Sequence, residues 1–78
     1  MNAGELERVL RRKPLSYRTE RRKGSHKKLV SPGRQPILYS FHKSVTVPPG
    51  LVRKILVVEA GLSEEAALAL IGSSKGGR

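Results

Sequence analysis

The sequence predicts an α+β fold in which one helix is followed by a three-stranded antiparallel sheet, a second helix and an additional short C-terminal helix. Three observations predict this order. Apolar residues recur at helical spacing near both ends of the chain. In the middle, apolar and polar residues alternate as they do in strands, and short turns rich in glycine and proline separate these alternating segments. The 78 residues suffice for a single domain, placed at residues 1–72, with residues 73–78 as a flexible tail.

The first helix is predicted over residues 3–12. Asn2 and Glu5 have the spacing of a capping box, in which each side chain accepts a hydrogen bond from the other residue's backbone N–H. Apolar residues then recur at helical spacing until Pro14, which ends the segment.

Three strands should follow, over residues 15–22, 25–30 and 37–42. Lys23-Gly24 is the predicted first turn and residues 31–34 the second. Strands joined by such short turns pair antiparallel, so a three-stranded meander is expected.

Two further helices complete the predicted fold. The first spans residues 51–60 and ends at Gly61, with Leu51, Ile55 and Val58 along one buried side. Because its apolar residues cover much of its circumference, it should be the most buried helix. The last helix is short, begins after a Ser63 cap and closes at Gly72.

Positive charge is concentrated in the N-terminal third of the chain. The net charge is +10, and residues 8–28 hold ten Lys or Arg with one acidic residue, which indicates a polyanionic partner. One alternative is that residues 8–28 form a solvated surface with no partner, but the positive charges on such a surface would repel one another without compensation. A nuclear localisation signal is a second alternative, but the predicted burial of the intervening strand argues against it. The nucleic-acid face is therefore expected on the N-terminal third.

Composition excludes several classes of protein. There is no cysteine, and the two histidines lack zinc-ligand spacing, so neither a metal nor another cofactor is expected. Acidic residues precede any apolar stretch and residues 66–71 are too few to span a bilayer, so a cytoplasmic protein without membrane association is expected. A chain this short buries only about 60–65% of its unfolded surface, which favours stabilisation by a protein partner.

His26 is the candidate catalytic residue, because histidine transfers protons near neutral pH and the surrounding cations suit a phosphodiester. With a two-residue Lys23-Gly24 turn, Arg21 would face His26 and favour its neutral imidazole. From the residues alone, an exposed strand histidine without catalytic function remains an alternative. His42 is expected to be a surface histidine or one that supports the site indirectly.

Three pieces of the chain resemble the HicA family of bacterial toxins: Gly24-Ser25-His26, the strand end at His42, and residues 50–56 running into residues 60–63. The resemblance spans roughly residues 2–70. It implies a double-stranded-RNA-binding-domain-like fold, mRNA interferase activity and neutralisation by a HicB-type antitoxin. Lys27 stands where many members have a second histidine, which leaves His26 as the candidate for the catalytic histidine.

These features predict a metal-independent endoribonuclease toxin of a type II toxin–antitoxin system, which cleaves mRNA by 2′-OH attack and inhibits translation. His26 is the expected general base and Gly24 the turn residue. The expected RNA-binding residues are Arg21, Arg22, Lys23, Ser25, Lys27 and Lys28. A non-catalytic RNA-binding module on the same fold remains an alternative, as does a ribosome-associated or phage accessory protein that binds RNA structurally.

Overall fold

The computed structural model describes residues 1–24 and 26–76, with side chains as far as residue 72. The elements are α1 (Ala3–Arg11), β1 (Arg18–Lys23), β2 (His26–Val30), β3 (Ile37–Tyr39), α2 (Pro49–Arg53), a π-helical segment (Lys54–Glu59) and α3 (Glu64–Gly76). The strands form one antiparallel sheet in the order β1-β2-β3. The predicted α+β class and the α-β-β-β-α order are confirmed.

The start of α1 is held by its own cap and by a distant loop. The predicted capping box is present, since Glu5 N–H donates to Asn2 Oδ1 at 2.9 Å and Asn2 N–H donates to Glu5 Oε1 at 3.4 Å. Ala3 N–H donates to Val45 O at 2.8 Å, and Gly4 N–H to Lys43 O at 3.2 Å. These bonds satisfy first-turn donors that have no partner within a helix, so the loop after β3 closes over the start of α1.

The two faces of the sheet have different surroundings. Leu29, Ile37 and Tyr39 are buried on the face that packs against the helices, whereas Leu38 is 79% exposed on the other face. We call the uncovered side the open face. The Tyr39 hydroxyl donates to Ala3 O, and burial, with a smaller contribution from Glu7, raises the pKa of Tyr39 to about 12.

The first and third strands are shorter than the alternating pattern predicted. β1 begins at Arg18, so Leu15 and Tyr17 precede it, yet both are buried. They are buried because the chain folds back after α1: Tyr17 N–H donates to Leu10 O at 2.9 Å, and the Tyr17 hydroxyl donates to Gln35 O at 2.8 Å. β3 ends at Tyr39, and residues 40–42 lie outside it. The alternation therefore identified buried side chains correctly, but extended the strands too far.

The β1–β2 turn lies one residue further along the chain than predicted, which shifts the strand pairing beside it by two residues. Lys23 pairs with His26, so Gly24 lies in the turn, and Arg21 pairs with Lys28 rather than with His26. Gly24 has a φ of 62°. Tight hairpin turns require positive φ at their central positions, and glycine meets that requirement without steric cost, which places Gly24 inside the turn.

The helix after the sheet contains the π-helical segment that the sequence pattern did not predict. Ala60 N–H donates to Ile55 O at 2.8 Å, five residues back. The wider turn breaks the 3.6-residue period, so Ile55 is buried while Val58 is 64% exposed, contrary to the predicted common side. Gly61, with a φ of 84°, ends the helix as predicted.

The final helix is longer than predicted. Ala66 N–H donates to Ser63 Oγ at 3.1 Å, which confirms the cap, but α3 continues past Gly72 to Gly76. Residues 77–78 and the side chains from residue 73 lie outside the described part of the chain, so the tail over residues 73–78 stays a prediction.

Candidate functional site

A shallow concavity on the open face, near the hairpin end of the sheet, has His26 on its rim. The residues that line it are Arg21, Lys23, His26, Lys27, Lys28, Leu38, Tyr39 and Ser40. His26 is the first residue of β2, and its side chain is exposed. Lys23 lies directly opposite it on β1. Residues that face each other across an antiparallel pair project to the same side, so a cation accompanies the imidazole.

A second row of side chains crosses the sheet beside His26. Lys28 lies between Arg21 on β1 and Leu38 on β3. Lys28 Nζ is 3.2 Å from Glu20 Oε1, and both side chains are close to half exposed. Exposed ion pairs contribute little free energy, so Lys28 can exchange this carboxylate for a phosphate at small cost.

Lys27 projects to the opposite side of the sheet from His26. Its Nζ donates to both carboxylate oxygens of Glu7 at 2.9 Å. Glu7 also accepts from Arg11 Nη2 at 2.7 Å, and the same nitrogen donates to Thr19 Oγ1 at 2.6 Å. Burial alone raises the pKa of Glu7, but the hydrogen bonds and charges of Lys27 and Arg11 outweigh it and hold the pKa below its usual range. This network fastens α1 to the underside of the hairpin.

The structure therefore divides the predicted RNA-binding residues between two faces. Arg21, Lys23 and Lys28 join His26 on the open face. Arg22 pairs with Lys27 on the helix side, and its Nε–H donates to Gly24 O at 3.4 Å. Ser25 lies outside the described residues.

Three residues near the site were not singled out from the sequence. Leu38 and Ser40 line the concavity, and Glu7 is the acceptor that organises the charged network beneath it. A signal for Leu38 was present, because the alternation that buries Ile37 and Tyr39 must direct Leu38 to the other face. No comparable signal exists for Glu7, since its partner Lys27 is 20 residues away in the chain.

His42 does not belong to the concavity. It is exposed in the loop after β3, where its carbonyl accepts from Val45 N–H at 3.0 Å. Within residues 1–24 and 26–76, no three His, Asp or Glu side chains are grouped so that they could hold a metal ion.

A separate, more apolar concavity lies between the N-terminus, α2 and α3. Its lining includes Met1, Val52, Ala67, Leu68 and Ile71. Its charged lining residues, Arg53 and Glu64, form an ion pair with each other. It offers a surface for apolar contact, and it contains no histidine among its described lining residues.

An imidazole among cations on an uncovered sheet face suits a polyanionic ligand such as nucleic acid. Comparison with known protein families identifies the protein further. The family model described as the HicA toxin of bacterial toxin–antitoxin systems matches residues 3–62, which is well over half of the chain. The chain belongs to the HicA toxin family, and the resemblance in its motifs is confirmed.

Family membership implies that the protein is one half of a toxin–antitoxin pair. No curated protein and no solved structure matches the chain. No helix within the described residues is long and apolar enough to cross a membrane.

Proposed function

We propose that this protein is an mRNA interferase, a metal-independent endoribonuclease that inhibits translation by cleaving mRNA. Membership of the HicA toxin family supports the toxin assignment. The single observation that carries the catalytic assignment is the exposed His26 on the open face, directly opposite Lys23 and in one concavity with Arg21 and Lys28.

The chemistry requires little of the protein, because RNA supplies its own nucleophile. In the proposed reaction His26 takes the proton from the 2′-OH, the 2′ oxygen attacks the adjacent phosphorus, and the bond from phosphorus to the 5′ oxygen breaks. The leaving 5′ oxygen takes a proton from Lys23 or from water. The products are a 2′,3′-cyclic phosphate and a 5′-OH end.

Cations on the open face would stabilise the pentavalent transition state. Arg21 and Lys28 face each other across β1 and β2, next to the Lys23–His26 pair. Donors that are already in place where negative charge develops reduce the barrier without reorganisation during the reaction. Their position on paired strands keeps them in place.

A non-catalytic RNA-binding module is the second candidate function. It is favoured by the composition of the concavity, in which His26 is the single imidazole among the described lining residues and none of those residues is a carboxylate. General acid–base cleavage is fastest with two proton-transfer groups, whereas binding requires none. The two candidates differ in whether the RNA strand is cut.

The proposed partners are mRNA and a HicB-type antitoxin. A net charge of +10 favours an antitoxin that presents acidic side chains to the toxin, because complementary charge increases the rate of association. The proposed site of action is the cytoplasm, where mRNA is translated.

The test is a gel assay of a 5′-labelled mRNA incubated with the protein in EDTA. The His26→Ala variant should cleave about 10²–10⁴ times more slowly than the wild type, because it lacks the base. His42→Ala is the matched control, since it removes an exposed imidazole that lies outside the concavity. Wild-type fragments should end in a 2′,3′-cyclic phosphate, and a 2′-deoxy substitution at the cleaved nucleotide should abolish them.

Two outcomes would contradict the proposal. Equal cleavage by the wild type and His26→Ala would remove His26 from the mechanism. Intact RNA with both proteins, together with a salt-dependent gel shift, would identify the protein as the binding module. Thermal unfolding of His26→Ala serves as the folding control, and exposed substitutions of this kind change stability by about 0.5 kcal/mol or less.

A further inference from the structure

A second basic groove lies on the helix side of the β1–β2 hairpin, across the sheet from His26. Five cationic residues line it: Arg8, Arg11, Arg22, Lys27 and Lys43. Apart from these, the described lining residues are Glu7 and Gly4. The groove therefore holds five positive charges and one negative charge, a net positive excess equal to that of the four cations that line the concavity around His26.

Three of the five cations have no carboxylate partner. Glu7 binds Lys27 and Arg11, which uses the one negative charge of the groove. Within the described residues, no ion pair involves Arg8, Arg22 or Lys43, and all three are exposed. Arg22 also lies directly opposite Lys27 on the paired strands. Like charges at facing positions destabilise a sheet, and a bound anion would relieve that repulsion.

We propose that this groove is a second binding site for the phosphate backbone of RNA, with Arg8, Arg22 and Lys43 as its principal contacts. The groove binds phosphates of the RNA strand that are not cleaved, whereas the open face binds the scissile phosphate. The choice of RNA as the ligand rests on the proposed function.

The chemistry of the groove favours phosphates over a protein segment. None of its described lining residues carries a large apolar side chain. The centre of a stable protein–protein interface is apolar and poor in charge, which this groove is not. Two of the three principal contacts are arginines, whose planar guanidinium matches two phosphate oxygens at once.

The groove is also continuous with the proposed catalytic strand pair. Arg22 and Lys27 are the immediate chain neighbours of Lys23 and His26, but project to the opposite side of the sheet. An RNA strand cleaved on the open face can therefore pass around the hairpin and bind the groove. A substrate of two nucleotides fills the open face alone, whereas a longer strand reaches both sites.

The first test measures RNA binding in a His26→Ala background, so that the strand stays intact. The groove variant combines Arg8→Ala, Arg22→Ala and Lys43→Ala. The matched control removes the same charge elsewhere, with Lys13→Ala, Arg18→Ala and Lys54→Ala, all at exposed positions outside the groove. For a single strand of about 20 nucleotides, log K decreases as log salt increases. This decrease should become less steep by about 2 in the groove variant, roughly 0.7 for each lost contact. The control should change the slope much less.

The second test separates the groove from the proposed catalytic site by substrate length. With His26 intact, the groove variant should lose about 10–100-fold in kcat/KM for the long strand and retain wild-type kcat/KM for a dinucleotide. Thermal unfolding of the variant serves as the folding control.

Each other outcome overturns the groove proposal. An unchanged salt slope does so, and so does an equal loss on the dinucleotide and the long strand. Weakened binding of an acidic antitoxin with unchanged RNA affinity would assign the groove to a protein partner instead. If the wild type cleaves no RNA, the nuclease proposal fails, and the salt slope still decides whether the groove binds RNA.

Discussion

Glu7 is the residue around which the charged side chains between α1 and the hairpin are arranged. Its carboxylate is mostly buried and accepts from Lys27, itself largely buried, and from the more exposed Arg11. Removing one partner of a largely buried pair leaves the other charge without compensation, which costs more than the pair itself contributes. Lys27 therefore stabilises the fold at neutral pH, and its role as an RNA contact stays a prediction.

Glu7→Gln should destabilise the protein at pH 7 by about 2 kcal/mol, because Lys27 keeps its charge and loses its partner. The pKa of Glu7 is lower in the folded chain than its ordinary value of 4.5. The ionised carboxylate thus contributes stability above that ordinary value, and the contribution is lost as pH falls through the folded pKa. Urea unfolding from pH 7 down to acid should show a smaller acid-dependent loss in the variant than in the wild type.

Two matched variants make the Glu7 prediction specific. Glu20→Gln removes an exposed carboxylate paired with Lys28 and should have little effect, since such pairs contribute about 0–1 kcal/mol. Adding Lys27→Met to Glu7→Gln should recover part of the lost stability, because no buried charge then remains unpaired. A Glu7→Gln variant with wild-type stability and wild-type pH dependence would contradict this account of the network.

At the scale of elements, the β1–β2 hairpin combines an accurate prediction with a missed register. The turn was predicted from Lys23-Gly24, and a turn is present, but Gly24 takes its first central position. A bulge between Thr19 and Arg21 shifts the pairing again. The alternation of apolar and polar residues reveals neither the turn type nor the position of the bulge. The pairing of Lys23 with His26 could therefore not be predicted from that alternation.

Two glycine substitutions should change stability in opposite directions. Gly24→Ala places a Cβ on a residue with a φ of 62°, which should cost about 1 kcal/mol, although no atom lies within 4 Å of the new carbon. Gly72→Ala also meets no atom within 4 Å, but it lies within α3 and should stabilise the protein by about 0.5–1 kcal/mol. Urea unfolding measures both, and a shared sign would contradict the assigned backbone conformations.

At the scale of the whole molecule, positive charge is placed on both sides of one hairpin. The concavity around His26 and the groove beside α1 draw their cations mainly from residues 8–28. The π-helical segment and α3 carry three acidic residues, Glu59, Glu64 and Glu65, alongside two lysines, Lys54 and Lys75. A net charge of +10 on a chain of 78 residues also opposes folding by self-repulsion.

Salt should therefore act in opposite directions on folding and on RNA binding. Added salt screens the repulsion among cations, so the melting temperature should rise between low and physiological ionic strength. RNA affinity should fall over the same range. If three cations on each side of the hairpin each neutralise one phosphate, log K should decrease by about 4 per decade of salt. Calorimetry and filter binding at matched salt concentrations test both, and a melting temperature that falls with salt would contradict the repulsion argument.

The amino-acid sequence by itself determined the order of the elements, the capping box at Asn2 and Glu5, the end of the second helix at Gly61 and the family. These features depend on residues close together in the chain, where spacing fixes geometry. The tertiary structure decided which side of each strand is covered. Lys27 meets Glu7 across 20 residues of chain, while its neighbour His26 stays exposed on the open face. That division depends on hairpin register and helix packing, which arise only when distant segments meet.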